Sequence, residues 1–223
     1  PQSSGRYVDG TVGLGGHAWG ILAASQPNGL LLGLDVDPDA LVLAEKRLAE
    51  FGQRAKLIRG SYSDLSAQLE NIGWKSVDGI LLDLGISSLQ LDTPQRGFSF
   101  RSDAPLDMRF DPDNPVRAVD LINSLPESEI ADILYRYGEE RKSRQVARAI
   151  VAARPVLTTK QLAGVVSTVI VSGRTKLHPA TRTFQAFRIA VNRELESLES
   201  FLPQAVSALS AQARLAVISF HSL

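Results

Sequence analysis

The 223-residue chain lacks cysteine and contains only three histidines, His17, His178 and His221. Disulfides and thiolate metal sites are therefore excluded, and because no two histidines are close in sequence, we expect no metal site. The absence of cysteine also suits the cytoplasm, which is the expected compartment. No apolar run approaches the roughly 20 residues that cross a bilayer, so we expect no membrane partner.

Net charge is also lacking, because 24 basic residues balance 24 acidic residues. The total hides a strong asymmetry along the chain. Residues 1–135 carry 11 basic and 19 acidic side chains, whereas residues 136–193 carry 12 basic and two acidic side chains. A basic block of this kind is typical of a surface that binds a polyanion such as a nucleic acid. A set of solvated helix faces is the alternative interpretation.

A glycine-rich segment follows the first apolar run, at residues 7–17 (YVDGTVGLGGH). Gly13, Gly15 and Gly16 allow the backbone to approach a ligand closely at the start of a helix, where amide groups favour anionic or polar ligands. The next apolar run ends at Asp35, about 20 residues after Gly15, where an acid that binds a ribose hydroxyl is expected. The pattern predicts a nucleotide-type cofactor site.

Asp9 bears on the class of cofactor. A nicotinamide dinucleotide and S-adenosylmethionine both use a glycine loop and a ribose-binding acid. An acid at the end of the first strand, followed by glycine at alternate positions with Thr11 in the first place, follows the methyltransferase pattern. Its carboxylate could hold the α-ammonium of S-adenosylmethionine, a group that a nicotinamide dinucleotide lacks. A nicotinamide-dependent oxidoreductase stays open as the less favoured alternative.

Apolar runs alternate with amphipathic segments through residue 83, which predicts an α/β fold with a doubly wound, mostly parallel sheet. We expect a long ordered loop at residues 85–115 and a helical stretch from about residue 116, broken near Pro126, Gly138 and Pro155. A single helix is then expected from Thr181, with one apolar stripe that extends to Leu202. The expected domains are residues 1–100 and 181–223 around the sheet, and a helical, basic, RNA-recognition insertion at residues 101–180.

Asp83 ends the fourth apolar run, at the sheet edge where ligands of such folds bind. A carboxylate there could orient an exocyclic amine for methyl transfer, which depends mainly on positioning. A helix or turn cap is the alternative role. The segment that begins with Asp83 is DLGISS. It differs from the Asp/Asn-Pro-Pro-aromatic motif that is common among amine methyltransferases.

Seven strings in chain order carry a resemblance to a known family. They are DGTVGLGGH at 9–17, LDLGISSLQLD at 82–92, RGFSF at 96–100, PLDMR at 105–109, YGEER at 137–141, HPATRTFQ at 178–185 and ISFHSL at 218–223. Together they resemble the bacterial small-subunit ribosomal RNA cytosine-N4 methyltransferases, the MraW or RsmH family. The resemblance covers nearly the whole chain and implies a Rossmann-like methyltransferase fold. The family continues past the position of residue 223 with further sheet strands, which we expect to be missing from this chain.

The resemblance implies S-adenosylmethionine-dependent methylation of a cytidine N4 amine in the decoding region of 16S ribosomal RNA, within the small ribosomal subunit. It leaves a homodimer open. The implied cofactor contacts are Gly15, Gly16, His17, Asp35, Tyr62, Asp83 and Gln90. Tyr62 also follows the third strand, where an aromatic ring could stack on adenine, although ordinary packing would explain it equally.

For the substrate, we expect the target base to enter a pocket bounded by Ser87, Ser88, His178, Arg182 and Asn192, while the basic insertion binds RNA phosphates. Asp83, Ser87 and Ser88 are the candidate catalytic residues, and the other three are candidate substrate-binding residues. His178 precedes a proline and could equally be a turn histidine. A non-catalytic RNA-binding ribosome-assembly factor with the same fold is the second alternative function.

Overall fold

The computed structural model describes residues 1–170 and 178–219. A five-stranded parallel sheet is formed by β1 (Arg6–Asp9), β2 (Leu30–Asp35), β3 (Ala55–Arg59), β4 (Val77–Asp83) and β5 (Leu209–Ile218), in the order β3–β2–β1–β4–β5. In register, Val8 of β1 lies between Leu32 of β2 and Ile80 of β4. The strand order reverses between β1 and β4, and ligands of open α/β sheets bind outside the carboxyl ends at such a point.

Ten α-helices occur in the described part of the chain. Their bounds are α1 Gly16–Ala24, α2 Pro38–Leu48, α3 Leu65–Asn71, α4 Ser88–Asp92, α5 Ala118–Ser124, α6 Glu127–Gly138, α7 Ser143–Ala152, α8 Thr159–Val169, α9 Thr181–Asn192 and α10 Glu194–Ala208. Short 3₁₀ turns lie at Ala49–Arg54, Tyr62–Asp64 and Pro94–Arg96. The breaks expected near Pro126, Gly138 and Pro155 are confirmed. None of these helices is long and apolar enough to traverse a bilayer.

Both faces of the sheet are covered, as expected for a doubly wound fold. Tyr7 and Leu31 pack with residues of α1 and α2 in one cluster. Their chain neighbours Val8 and Leu32 point to the opposite face and pack with α3 and with Phe201 of α10. Alternate residues of a strand point to opposite faces, so these continuous apolar runs supply both cores. The predicted α/β fold class is confirmed.

The single helix expected from Thr181 is wrong. The chain forms α9 and α10, and Arg193 between them has a φ of 50°, in the left-handed region. An arginine in this conformation ends the hydrogen-bonded ladder of α9, although the apolar residues keep a helical spacing across it. The spacing of apolar residues in a sequence does not reveal a helix break that involves a single residue.

The chain divides into two compact units. The sheet unit comprises Pro1–Ser87 and Leu195–Leu223, and the helical unit comprises Ser88–Glu194. These bounds differ from the expected boundaries at residues 100/101 and 180/181. The reason lies in hydrogen bonds that cross both expected boundaries: Met108 donates its N–H to the Arg96 carbonyl, and Phe110 donates its N–H to Asn192 of α9.

Candidate functional site

The first candidate site lies at the carboxyl edge of the sheet unit, where β1 ends in Asp9. The Asp9 side chain is almost fully buried, and its Oδ1 accepts the Thr11 N–H at 3.2 Å. Its Oδ2 is also buried and has no hydrogen-bond partner among the described residues. Burial raises the pKa of Asp9 to about 7, since the charged form loses its hydration, although the Thr11 N–H and nearby His17 oppose the shift.

The glycine loop after β1 is held by Asp35, the last residue of β2. Gly13 has a φ of 50° and donates its N–H to Asp35 Oδ2 at 2.8 Å, while Asp37 donates its N–H to Oδ1 at 2.9 Å. Burial raises the pKa of Asp35, and these hydrogen bonds partly offset the increase. Asp35 therefore sets the shape of the loop, in addition to offering oxygens to a ligand.

Gly15 precedes α1 with a φ of 77°, and a Cβ there would lie 3.4 Å from the Cα of Ala44 in α2. This glycine lets the loop pass close to a neighbouring helix in a conformation that L side chains rarely adopt. Gly16 begins α1. The N-terminal amides of α1 thus follow the loop directly, as predicted from the sequence.

Asp83 ends β4 and is joined to the loop after β1. Its N–H donates to Thr11 Oγ1 at 2.7 Å, and its Oδ2 lies 3.3 Å from His17 Nε2. Both side chains are partly exposed, with 34% of Asp83 and 52% of His17 accessible. The structure thus brings Asp83 and His17 together with an acceptor oxygen open to the edge of the sheet.

Tyr62 follows β3 at the same edge. Its ring meets that of Phe201 edge to face, with the centroids 5.5 Å apart, so it takes part in the packing that the sequence left as an alternative. It also borders the loop, because a Cβ added at Gly10 would lie 3.1 Å from the Tyr62 Cβ. Ser87 is half-buried and ends this part of the sheet unit.

The remaining predicted residues belong to the helical unit. Ser88 is exposed at the start of α4, and Gln90 in the same helix is buried. The exposed His178 ring stacks on Phe100 at 4.4 Å between centroids, and its Nδ1 accepts the Ala180 N–H at 3.2 Å. His178 therefore has the local contacts of a turn histidine, and its side chain is exposed.

Arg182 and Asn192 lie on α9 and differ in their engagement. Arg182 is exposed and donates to the Glu139 carbonyl at 3.3 Å. The Asn192 amide donates both of its hydrogens, to the carbonyls of Met108 and Arg188, and its Oδ1 accepts the Phe110 N–H at 2.6 Å. The donors of Asn192 are thus used within the helical unit.

Two features of the structure escape the sequence interpretation. In the sequence pattern, Thr11 is notable only because it replaces a glycine. In the structure, its hydroxyl oxygen accepts the Asp83 N–H. The buried Asp37 accepts the Asp39 N–H at the start of α2. It also donates its own N–H to the Asp35 side chain and so helps to fix the position of that carboxylate. The Asp-Pro pair at 37–38 is the available signal, because it marks a helix start.

A cavity of about 530 Å³ in the sheet unit lies beside β4 and β5, lined by residues such as Tyr7, Gly79 and Arg214. None of the candidate site residues lines it. Within residues 1–170 and 178–219, no three His, Cys, Asp or Glu side chains group as a metal ion would require.

The sequence profile of the MraW methylase family matches residues 1–223. The chain belongs to this family. It is 50% identical over 227 residues to ribosomal RNA small subunit methyltransferase H of Syntrophobacter fumaroxidans, in an alignment that covers all of this chain and 71% of that protein. The protein of the same name from Syntrophotalea carbinolica is 51% identical, with 100% and 73% covered, and that from Stenotrophomonas maltophilia K279a is 51% identical, with 99% and 68% covered.

Membership of the MraW methylase family decides between the two cofactor classes that the glycine loop left open. The protein is a methyltransferase, and S-adenosylmethionine is its cofactor. The residues fit this group, because Asp9 Oδ2 is a buried acceptor in need of a donor and the positive φ values of Gly13 and Gly15 form a cradle of bare backbone. His221 and the rest of the string at 220–223 lie outside the described residues.

Proposed function

We propose that this MraW methylase methylates the N4 amine of a cytidine in the decoding region of 16S ribosomal RNA. The name of the relatives, ribosomal RNA small subunit methyltransferase H, supports the RNA substrate at about 50% identity. One observation supports an amine as the target: the partly exposed carboxylate of Asp83 lies beside His17 at the carboxyl end of β4. The small ribosomal subunit is the proposed partner and the cytoplasm the proposed compartment.

In the sheet unit, Asp9 Oδ2 would accept from the α-ammonium of S-adenosylmethionine, and Asp35 would accept from the ribose hydroxyls. Gly13, Gly15, Gly16 and His17 would line the methionine and ribose, and Tyr62 the adenine. S-adenosylmethionine supplies an electrophilic methyl group on a sulfonium. The protein's contribution is to place an acceptor amine in line with that methyl group.

Asp83 would accept one N–H of the cytosine amine and so hold the amine with its lone pair directed at the methyl group, in place of conjugation with the ring. When the carbon–nitrogen bond forms, the bond between the methyl carbon and the sulfonium sulfur would break and a neutral thioether would leave. N4 would then carry the positive charge until it loses a proton. The Asp83 carboxylate stabilises this charge, and His17 Nε2 at 3.3 Å from its Oδ2 offers the proton a path to solvent. Ser87 and Ser88 remain candidates to position the base, and Gln90 to complete the cofactor pocket.

In the helical unit, His178 and Arg182 are the proposed RNA contacts. His178 is exposed and stacked on Phe100, and we propose that an unpaired base extends this stack. We propose a different role for Asn192, which holds the Met108–Phe110 backbone. The basic insertion at residues 101–180 is proposed to bind RNA phosphates.

The test is incubation of the protein with tritiated S-adenosylmethionine and small ribosomal subunits from cells that lack this modification, followed by digestion and identification of the labelled nucleoside. Label in N4-methylcytidine is expected, and it should fall at least about 100-fold in Asp83→Ala. Asp78→Asn changes a carboxylate at the opposite end of the same strand and should leave the rate unchanged. Label in another nucleoside would overturn the proposed base.

The non-catalytic alternative is separated by the same experiment. RNA binding by the parent protein without any transfer of label, although S-adenosylmethionine binds, would favour an assembly factor over an enzyme.

A further inference from the structure

The basic block at residues 136–193 contains 12 arginines and lysines, of which two, Arg174 and Lys176, lie outside the described residues. The structure separates the other ten into two groups. Some are engaged within the helical unit, and the rest have side chains free to meet an external anion. Side chains of the second group can meet a polyanion without first breaking an internal contact. Of the first group, the exposed Arg182 keeps its proposed RNA contact, because it has a single hydrogen bond at 3.3 Å.

Five of the ten cations are engaged. Arg154 donates to the carbonyls of Ile122 and Leu125, and Arg188 forms a buried, two-pronged pair with Glu194 at 2.7 and 3.0 Å. Weaker contacts join Arg148 to Glu127, Lys142 to the Val169 carbonyl and Arg182 to the Glu139 carbonyl. Much of the charge that the sequence attributes to RNA binding therefore stabilises the helical unit itself.

Three of the free cations are close together. Arg136, Arg141 and Arg144 fall within nine consecutive residues that cross the turn from α6 to α7. All three are exposed, and among the described residues none forms an ion pair or a side-chain hydrogen bond. Lys160 and Arg193 likewise have no such partner in the part of the chain that the structure describes, but they lie elsewhere in the sequence. We call residues 135–144 the arginine turn.

Tyr135 adds an aromatic ring to the arginine turn. It precedes Arg136 in α6 and is 65% exposed, the largest exposed fraction of any phenylalanine, tyrosine or tryptophan in the described residues. An exposed ring next to unpaired arginines is a combination that serves single-stranded nucleic acid, because arginines meet phosphates and the ring stacks on a base.

We propose that the arginine turn is the phosphate-binding element of this protein and that it engages an unpaired RNA segment, with Tyr135 stacked on a base. The inference rests on the proposed function for its choice of RNA. An anionic protein surface would match the charge as well, but it would gain little from a stacking ring. This proposal places RNA affinity in the arginine turn, whose residues differ from those proposed to bind the cofactor.

The test compares two triple variants. Arg136→Ala/Arg141→Ala/Arg144→Ala removes the proposed contacts, and Lys46→Ala/Lys56→Ala/Lys75→Ala removes the same charge from exposed positions of the sheet unit. Dissociation constants for a fluorescein-labelled single-stranded fragment of the small-subunit RNA are measured by anisotropy from 0.05 to about 0.3 M KCl. Thermal melting and calorimetric titration with S-adenosylmethionine accompany each variant.

The arginine variant should bind RNA about 100-fold more weakly at 0.1 M salt, and the slope of log affinity against log salt should fall by about 2, since each contact with a single strand contributes about 0.7. The lysine variant should differ far less. Tyr135→Ala should lose about tenfold in affinity with no change of slope, and Tyr135→Phe should retain it.

Equal slopes for the two triple variants, with parent-like melting, would overturn the arginine turn as the phosphate contact. A parent protein that binds S-adenosylmethionine but neither binds the RNA nor labels small subunits would instead overturn the proposed function. The two failures are thus distinguishable.

Discussion

The Gly13 N–H donates to Asp35 Oδ2 at 2.8 Å, across 22 residues of sequence. The other oxygen of the same carboxylate accepts the Asp37 N–H. Asp35 is thus a structural part of the glycine loop before any ligand arrives. A variant of Asp35 that fails to bind cofactor would accordingly report on loop order as well as on a lost ribose contact.

Asp35→Ala should therefore expose the Gly13 and Asp37 amides to solvent in the ligand-free protein. Loss of one hydrogen bond is worth about 1 kcal/mol, so exchange of both amide hydrogens should accelerate about fivefold or more. Hydrogen exchange measured by NMR checks this, with Asp39→Ala as a control, since Asp39 is exposed in α2. Unchanged protection of Gly13 would show that the loop is ordered without Asp35.

Affinity for S-adenosylmethionine should depend on pH through Asp9. The pKa of about 7 means that the free protein is largely protonated there below pH 7, whereas the cofactor's ammonium needs the carboxylate. Affinity should rise by up to about tenfold per pH unit towards pH 7 and level off above it. Asp9→Asn should bind weakly and lose most of this dependence. Calorimetry from pH 5.5 to 8 measures both, and an undiminished slope in Asp9→Asn would contradict the assignment to Asp9.

The same shift affects stability with the opposite sense. A carboxyl whose folded pKa is raised stabilises the fold while protonated, and this contribution is lost as pH rises from its ordinary value of 3.8 through about 7. At pH 8, ligand-free Asp9→Asn should therefore melt at a higher temperature than the parent protein. A lower melting temperature would show that the ionised Asp9 is better solvated than its burial indicates.

Asn192→Ala should destabilise the protein by about 2 kcal/mol, because the Phe110 N–H and the carbonyl of buried Met108 would lose their partner. Arg182→Ala, on the exposed side of the same helix, should change stability by less than about 0.5 kcal/mol. Urea denaturation of both variants separates a positioning role for Asn192 from direct base binding. If Asn192 bound the base directly, Asn192→Ala would weaken RNA binding and leave the free energy of unfolding unchanged.

Gly97→Ala should be poorly tolerated. Gly97 has a φ of 72°, and a Cβ there would lie 2.4 Å from the Pro105 carbonyl oxygen, so loss of at least about 2 kcal/mol is expected. A Cβ added at Gly164 in α8 would meet nothing within 4 Å among the described residues beyond its chain neighbours and the adjacent backbone of its own helix, so Gly164→Ala should add about 0.5–1 kcal/mol instead. Melting temperatures of the two variants should move in opposite directions.

The fold and the sheet-edge site were predictable because their signals are local. Apolar runs define the strands, and a buried strand followed by glycines defines the loop, so Asp9, Gly13 and Asp35 could be placed from spacing alone. Parallel strands bring their carboxyl ends to one edge, which places Asp83 beside the loop after β1.

Other features depend on contacts between distant residues. The bond between Asn192 and Phe110 spans 82 residues, and nothing near Asn192 in the sequence distinguishes it from an amide that faces a substrate. Likewise, Arg154 and Arg144 are equivalent in a count of charge, and only the tertiary structure shows that carbonyl groups already hold the first. The break at Arg193 is a matter of one backbone angle.

The Thr11 hydroxyl has a consequence for how the site responds to change. By accepting the Asp83 N–H, it links the segment proposed to hold the methyl donor with the residue proposed to hold the acceptor. The two strands are already paired up to this point, since Gly10 donates its N–H to the Leu81 carbonyl. Thr11 carries the connection one step further, to Asp83 itself, which a glycine at this place could not do. A disturbance at either strand end would therefore reach both of the proposed halves of the reaction.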